Sequence, residues 1–292
     1  MAITVTTVKE LRERTGAGMM DCKKALQEAD GNVDKAIENM RKSGMAKAAK
    51  KAGRIAAEGL LVIKQNEETG QLVIVEINSE TDFVTKDDSF KVFCDQVASS
   101  VLANQPADID GLMGCNIGEQ TVEETRQQLV AKIGENTSVR RFSLIDTAQG
   151  ILGSYLHGVR IGVLVELEGG DEALAKDIAM HIAASNPTCI AEEDVPQDVL
   201  AKEKEILVAQ AEESGKPPEI IEKMIVGRIN KFLKEITLLG QPFVKDPDQT
   251  VAKLLESGGA TVKSFIRYEV GEGIEKRSDN FAEEVMAQAK GE

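Results

Sequence analysis

Two stretches of this chain carry pairs of short apolar runs of the kind that form β-strands, and a helical pattern follows each of them. In the first, LLVI at 60–63 and LVIVEI at 72–77 flank the turn EETG at 67–70, which predicts a β-hairpin. In the second, residues 151–156 and 160–168 enclose His157 and Gly158 and predict another hairpin. The chain is therefore expected to fold as an α+β protein with two similar units.

A helix and a closing strand complete each predicted unit. In the first unit, apolar residues at helical spacing between 90 and 101 predict a helix, and TVEE at 121–124 is typical of a capping box that opens another. Its closing strand is predicted at 138–145. In the second unit, the helix is predicted around 174–182 and the closing strand at 261–270. The second closing strand therefore arrives late in the chain.

An insertion explains that delay. Two strongly helical segments at 196–214 and 218–236, joined by GKPP at 215–218, predict a helical hairpin. An amphipathic hairpin packs on its own core as readily as on a second copy, so a homodimer through 196–236 is possible.

The first 40 residues show three short helical patterns, separated by turn residues at 15–18 and 30–32, and predict a small three-helix module. The basic stretch at 45–54 is interpreted as a linker or a loosely held helix whose charged face lies in water. The predicted domains are 1–54 (module and linker), 55–145 (first α+β subdomain), 146–271 (second subdomain, with the inserted hairpin at 188–238) and 272–292 (C-terminal module).

Charge and composition exclude several classes of protein. A net charge of -14 repels phosphate backbones, so we expect a protein partner and no direct contact with nucleic acid. No apolar run approaches the roughly 20 residues needed to cross a bilayer, and the N-terminus lacks the pattern of a secretory signal. We therefore expect a cytoplasmic protein without membrane contact.

A search for catalytic and cofactor motifs finds none. The chain has no phosphate-binding G-x-x-x-x-G-K-[ST] loop, and its glycine pairs lack the third glycine of a dinucleotide fingerprint. His157 and His181 have no serine or cysteine beside them in a nucleophile setting. The four cysteines are far apart and form no C-x-x-C pair. We predict no cofactor, no metal and no enzymatic activity.

The two units differ most where the hairpin leads into its helix. The first has NSETDFVTK at 78–86, and the second only EGGDE at 168–172, so the longer loop exceeds what the fold requires. Two interpretations of this loop remain open. Phe83 projects into water to meet a partner, or it folds back under the following helix while Asp82 caps that helix.

Two long segments, LRERTGAGMMDCKKAL at 11–26 and EINSETDFV at 76–84, closely match signatures of the elongation factor Ts family. Shorter family-like segments lie at 132–136, 153–158, 240–244 and 267–273, so the resemblance covers almost the whole chain. It implies a ubiquitin-associated three-helix domain, two similar α+β subdomains, an inserted helical hairpin that serves self-association, and a C-terminal helix.

The resemblance also implies a function. Members of this family bind elongation factor Tu, in its GDP-bound and nucleotide-free forms, and promote GDP release. By analogy, Phe83 would be a wedge beside the nucleotide site and Asp82 its polar neighbour. The residues implied to dislodge magnesium are Thr81, Asp82, Phe83 and Val84; other implied contacts are Arg12, Met19, Met20, Ile133, Gly134 and His157. No role carries over to Ser79, Glu80 or residues 103–120.

Two rival functions remain. An adaptor would use only the three-helix module and would survive loss of residues 81–84. A hydrolase would need Glu80, Asp82 and His157 within hydrogen-bond reach of one another and a pocket around them.

Overall fold

A computed structural model describes residues 3–15, 17–146, 150–212 and 217–275 of the chain. The described residues fall into two compact units. Unit 1 is drawn from Met1–Leu60, Val75–Phe142 and Val270–Glu292, and unit 2 from Leu61–Ile74 and Ser143–Glu269. Helices and strands occur in both, which confirms the predicted mixed α+β class.

The α-helices in the described residues are α1 (Val5–Thr15), α2 (Met19–Glu28), α3 (Val33–Lys51), α4 (Asp88–Asn104), α5 (Ile109–Gly114), α6 (Val122–Ile133), α7 (Glu172–Ser185), α8 (Gln197–Glu212), α9 (Pro218–Ile236) and α10 (Val251–Ser257). The strands are β1 (Glu58–Gln65), β2 (Leu72–Ser79), β3 (Asn116–Ile117), β4 (Gln120–Thr121), β5 (Thr137–Ile145), β6 (Ile151–His157), β7 (Ile161–Gly169), β8 (Pro242–Phe243), β9 (Asp246–Thr250) and β10 (Ala260–Glu269). Two sheets have three strands each, in the orders β1-β2-β5 and β10-β7-β6. In each, the second strand of a hairpin is central.

The N-terminal helices of unit 1 pack around a small apolar core. Leu11, Cys22, Leu26 and Ala36 are fully buried in it. Asn32 opens α3, because its side-chain oxygen accepts a hydrogen bond from the backbone N–H of Lys35 at 2.9 Å. Three helices are therefore present where the sequence predicts them.

Helix α3 continues through most of the basic stretch at 45–54, for which the sequence permits either a linker or a loosely held helix. It ends at Lys51 and packs against α6. Gly44 and Ala48 are buried on α3, and a Cβ added at Gly44 would meet Ala131 of α6 at 3.7 Å. The small side chains let the two helices approach closely.

Helix α6 begins with the predicted capping box. The hydroxyl of Thr121 accepts from the backbone N–H of Glu124 at 3.1 Å, and the Glu124 carboxylate accepts from the N–H of Thr121 at 3.1 Å. Before it, in the stretch that sequence reasoning leaves unassigned, α5 begins at an Asp108 cap and buries Leu112.

A buried ion network holds β2 to β5. Glu76 of β2 is fully buried, and its two carboxylate oxygens accept from Arg140 at 3.0 Å and Arg141 at 2.6 Å. Asn78 at 3.0 Å and the backbone N–H of Gly271 at 2.8 Å also donate to it. Burial alone would raise the pKa of Glu76, but these donors outweigh burial and hold the pKa below its ordinary value. Glu76 is therefore a buried anion with four donors.

In unit 2, α7 covers the sheet of β6, β7 and β10. Strand β7 pairs antiparallel with both neighbours, with Val165 opposite Gly153 on one side and Phe265 on the other. Ile178 and Ile182 of α7 are fully buried in the core beneath it. His181 is buried as well, and its Nε2 lies 2.9 Å from the side-chain oxygen of Gln241, so this ring nitrogen has a hydrogen-bond partner in the core.

Strand β6 approaches α7 closely at Gly153. A Cβ there would lie 2.6 Å from the carbonyl carbon of Ala175 and 2.7 Å from its Cβ. We expect Gly153→Ala to lower the free energy of unfolding by about 1–3 kcal/mol, because the backbones must move apart. Urea denaturation measures this.

Gly227 in α9 supplies the matched control, since a Cβ there meets nothing within 4 Å. Gly227→Ala should be neutral or raise stability by up to about 1 kcal/mol, because alanine favours the helix. Equal effects of the two substitutions would show that the approach at Gly153 is not tight.

Helices α8 and α9 pack against each other where the sequence predicts the inserted hairpin. Helix α9 has no buried residue in this chain, and it exposes the apolar side chains of Ile220 and Val226. Residues 213–216 lie outside the described residues; they comprise the end of the first predicted helical segment and the first half of the predicted joining turn at 215–218. No helix in the described ranges is both long enough and apolar enough to span a membrane.

The predicted C-terminal module at 272–292 lies outside the described residues from 276 onward. The predicted domain boundaries stay predictions.

Candidate functional site

The loop singled out by sequence follows directly from the end of β2, which lies in unit 1. Every residue of β2 is buried. After Ser79 the chain passes through Glu80 and Thr81 into a 3-10 helix, Asp82–Lys86. Val84 is buried beneath this turn, whereas Asp82 and Phe83, the two residues before it, are exposed. The strand and Val84 thus fix both ends of a short projecting turn.

Phe83 is 75% exposed. The ring has the ammonium group of Lys86 5.6 Å from its centroid. Large aromatic side chains are normally buried, since burial of a Phe contributes roughly 1.5–3 kcal/mol. An exposed Phe on a fixed turn is therefore an unused contact surface in this chain.

The alternative interpretation of the loop is wrong. Asp87 caps α4, with its carboxylate accepting from Ser89 at 2.8 Å and Phe90 at 3.2 Å, and Phe90 fills the buried place under the helix. Burial alone would raise the pKa of Asp87, but these hydrogen bonds hold it below its ordinary value. Asp82 and Phe83 are left free of those structural roles.

Residues 133–136 lie beside the turn, although the chain separates them by about 50 positions. Glu135 accepts two hydrogen bonds from Thr81, one from the backbone N–H at 2.9 Å and one from the hydroxyl at 2.7 Å. Ile133 ends α6, and Gly134 caps it with a positive φ of 86°. The structure thus brings two of the predicted contact segments together in unit 1.

Sequence reasoning missed Glu135. The segment 132–136 resembles the family, but the resemblance implies contact roles only for Ile133 and Gly134. The family-like segment at 132–136 includes Glu135 and could have drawn attention to it. Nothing in the sequence, however, shows that the carboxylate of Glu135 accepts hydrogen bonds from Thr81.

The other predicted contacts in unit 1 lie on the N-terminal module. Met19 and Met20 open α2 and are 60% and 75% exposed, and Arg12 is exposed on α1. Exposed methionines adapt readily to a partner surface. The module therefore presents an apolar patch with a cation nearby in sequence.

Comparison with known proteins decides the family. The family model described as "Elongation factor TS" matches residues 80–272. Proteins named "Elongation factor Ts" from Thioalkalivibrio sulfidiphilus and Alkalilimnicola ehrlichii are 64% and 60% identical to this chain, each over 100% of both chains. One from Methylococcus capsulatus is 59% identical over 99% of both. The chain belongs to the elongation factor Ts family.

The family match begins at Glu80, so it includes the projecting turn, Ile133, Gly134 and His157. Arg12, Met19 and Met20 precede that match, but the relatives extend over them because they align along the full chain. The roles of all ten residues as contacts stay predictions.

Two of the three groups that a hydrolase would use, Glu80 and His157, have other partners. Glu80 accepts from the backbone N–H of Asn136 at 2.5 Å and pairs with Arg54 at 3.4 Å. His157, exposed at the end of β6 in unit 2, has its Nδ1 3.2 Å from the Tyr155 hydroxyl. Among the residues described, no cluster of three His, Cys, Asp or Glu side chains could hold a metal. These contacts favour a binding role over hydrolysis.

Proposed function

We propose that this chain is a guanine-nucleotide exchange factor, which binds elongation factor Tu and promotes GDP release during translation elongation. It acts in the cytoplasm by binding alone, without covalent chemistry, a cofactor, a membrane or direct contact with nucleic acid. The observation that carries the proposal is the exposed Phe83 on a turn fixed by Val84 and β2.

Thermodynamic linkage states what such a protein must do. It has to bind nucleotide-free elongation factor Tu more tightly than the GDP-bound form, and GDP then weakens its binding by the same factor. Each roughly 1.4 kcal/mol of difference changes affinity tenfold. Burial of one Phe in only one of the two states is therefore large enough to matter.

The proposed wedge supplies that difference. Phe83 enters a gap in the partner that opens only when its magnesium and phosphate contacts relax, with Asp82 as the polar neighbour. Magnesium sites depend on closely placed oxygen ligands, so a shift of about an ångström disturbs the charge-dense end of GDP. Only contacts that differ between the two states accelerate release.

The remaining contacts hold the partner in both states. We assign this role to the exposed Arg12, Met19 and Met20, to Ile133 and Gly134, and to His157. The three-helix module is proposed to be ubiquitin-associated-like, and the two similar strand orders are proposed to reflect duplicated subdomains.

Self-association through 196–236 also remains a prediction. It is supported by the apolar side chains of Ile220 and Val226, which α9 leaves exposed in one copy of the chain.

Stopped-flow release of fluorescent GDP from purified elongation factor Tu tests the proposal. We expect the observed rate constant to rise with the concentration of this protein and to saturate, because exchange requires a transient complex. An adaptor would bind without accelerating release. Absence of acceleration at any concentration would overturn the exchange function.

A further inference from the structure

We propose that Glu135 is a positioning residue for nucleotide exchange, which holds Thr81 so that Phe83 projects in one direction before the partner arrives. This inference rests on the proposed function.

The first support is the geometry at Thr81. Its backbone N–H and hydroxyl both donate to the Glu135 carboxylate, at 2.9 and 2.7 Å, and its carbonyl accepts from the Ser79 hydroxyl at 2.9 Å. All of the polar groups of Thr81 are thus engaged. Hydrogen bonds to a carboxylate are roughly twice as strong as those between neutral groups.

These hydrogen bonds affect Phe83 because of where Thr81 lies in the chain. Thr81 is the last extended residue before the 3-10 helix, with φ -123° and ψ 159°, and its own side chain does not cap that helix. Phe83 follows two residues later. Because Thr81 starts the turn, fixing its backbone fixes the direction in which the turn departs from β2.

A second carboxylate links the segment before the turn to residues 135–136. Here the acceptor is Glu80, on the segment before the turn, and the donor is on the other segment. Glu80 accepts from the backbone N–H of Asn136 at 2.5 Å, and the side chain of Asn136 donates to the carbonyl of Arg54 at 2.8 Å. Glu135 itself follows the glycine cap of α6 and precedes the buried Asn136. Its carboxylate is therefore presented from a well-held segment.

The result is a projecting aromatic between two fixed residues. Thr81 is held by hydrogen bonds and Val84 by burial, whereas Phe83 is left to water. Ordering a loop on binding has an entropic cost, and a loop ordered in advance avoids it. Loss of Glu135 should therefore act through Phe83 rather than through the stability of unit 1.

A double-mutant cycle tests this route. We expect Glu135→Ala to slow GDP release at saturating factor about fivefold or more, since a misdirected wedge reaches the productive geometry less often. In the Phe83→Ala background, the same substitution should change release by less than about twofold, because no wedge remains to be positioned. Glu135→Gln, which retains an acceptor for Thr81, should recover most of the rate.

Hydrogen exchange of the free protein supplies a readout that does not depend on the partner. The amide of Thr81 should lose protection in Glu135→Ala. Glu123→Ala is the matched control: Glu123 lies on α6 and binds Arg126 at 2.7 Å, so its loss should alter neither that amide nor GDP release. If Glu135→Ala does not fold, Thr81→Val removes the hydroxyl contact with little change in shape and enters the same cycle.

Equal slowing by Glu135→Ala with and without Phe83 would overturn the positioning role, as would an unchanged release rate. A Gln variant as slow as the Ala variant would also contradict it. Failure of the exchange function is a separate result, since it would be seen as no acceleration by the unmodified protein.

Discussion

Replacing Phe83 by alanine should slow GDP release from elongation factor Tu by about tenfold or more at saturating factor, because burial of one Phe contributes roughly 1.5–3 kcal/mol. In the proposed mechanism, that burial takes place only after the magnesium and phosphate contacts of the partner relax. The loss should therefore appear in the release rate more than in affinity for the GDP-bound partner. Stopped-flow release over a concentration series separates the two.

The structure makes this variant a clean test. Phe83 is 75% exposed and packs under no helix, so its removal should change the free energy of unfolding by no more than about 0.5 kcal/mol. Val92→Ala is the matched control, since Val92 is 56% exposed on α4 of the same unit and has no assigned contact. Release by the control should equal that of the unmodified protein. Equal acceleration by Phe83→Ala would refute the wedge but leave the family assignment intact.

Substitution of Glu76 should give the largest loss of stability. Breaking a buried ion pair costs about 3–5 kcal/mol, because a charge is left without its partner. We expect about 3 kcal/mol for Glu76→Gln, near the lower limit, since the side chains of Arg140 and Arg141 are 26% and 29% exposed and recover some water. Urea denaturation at neutral pH measures the loss.

Glu38→Gln provides the comparison. Glu38 pairs with Lys42 one turn along α3 at 2.6 Å, but its side chain is 64% exposed. Exposed pairs of this spacing are screened by water and contribute little to stability, so Glu38→Gln should lose far less than Glu76→Gln. Similar losses from the two variants would mean that burial does not strengthen the network around Glu76.

The pH dependence of stability gives an independent check on Glu76. Its pKa is lower in the folded protein than the ordinary 4.5, so the unfolded chain binds the proton more readily. Its contribution is therefore complete above about 4.5 and is lost as the pH falls through the folded pKa. The Glu76→Gln variant should lose less stability than the unmodified protein in this acidic range. Parallel curves would contradict the assignment of Glu76 as a buried anion.

Local patterns were sufficient for much of the fold. The two hairpins, the capping box at Thr121 and the helical insertion depend on residues close together in the chain, and the structure contains all three. The extra length of the first loop, compared with the second, singles out residues 81–84, whose role as partner contacts stays a prediction. Such features are readable because hydrophobic period, turn residues and caps act within a few positions.

The exposure of Phe83 could not be predicted from such local patterns. Both states suit the local sequence, and the choice depends on which residue occupies the space under α4. In the structure Phe90 of α4 is fully buried, Asp87 caps the helix, and Phe83 is left in water.

The amino-acid sequence alone was enough to establish the α+β class, the family resemblance and the extra length of the loop after β2, because these depend on local periodicity and on long contiguous motifs. Only the tertiary structure decided which distant groups meet. Glu135 reaches Thr81 across 54 positions, and Glu76 reaches Arg140 across 64. Contacts of this kind arise from strand order and helix packing, and a carboxylate has no sequence pattern that names its partner.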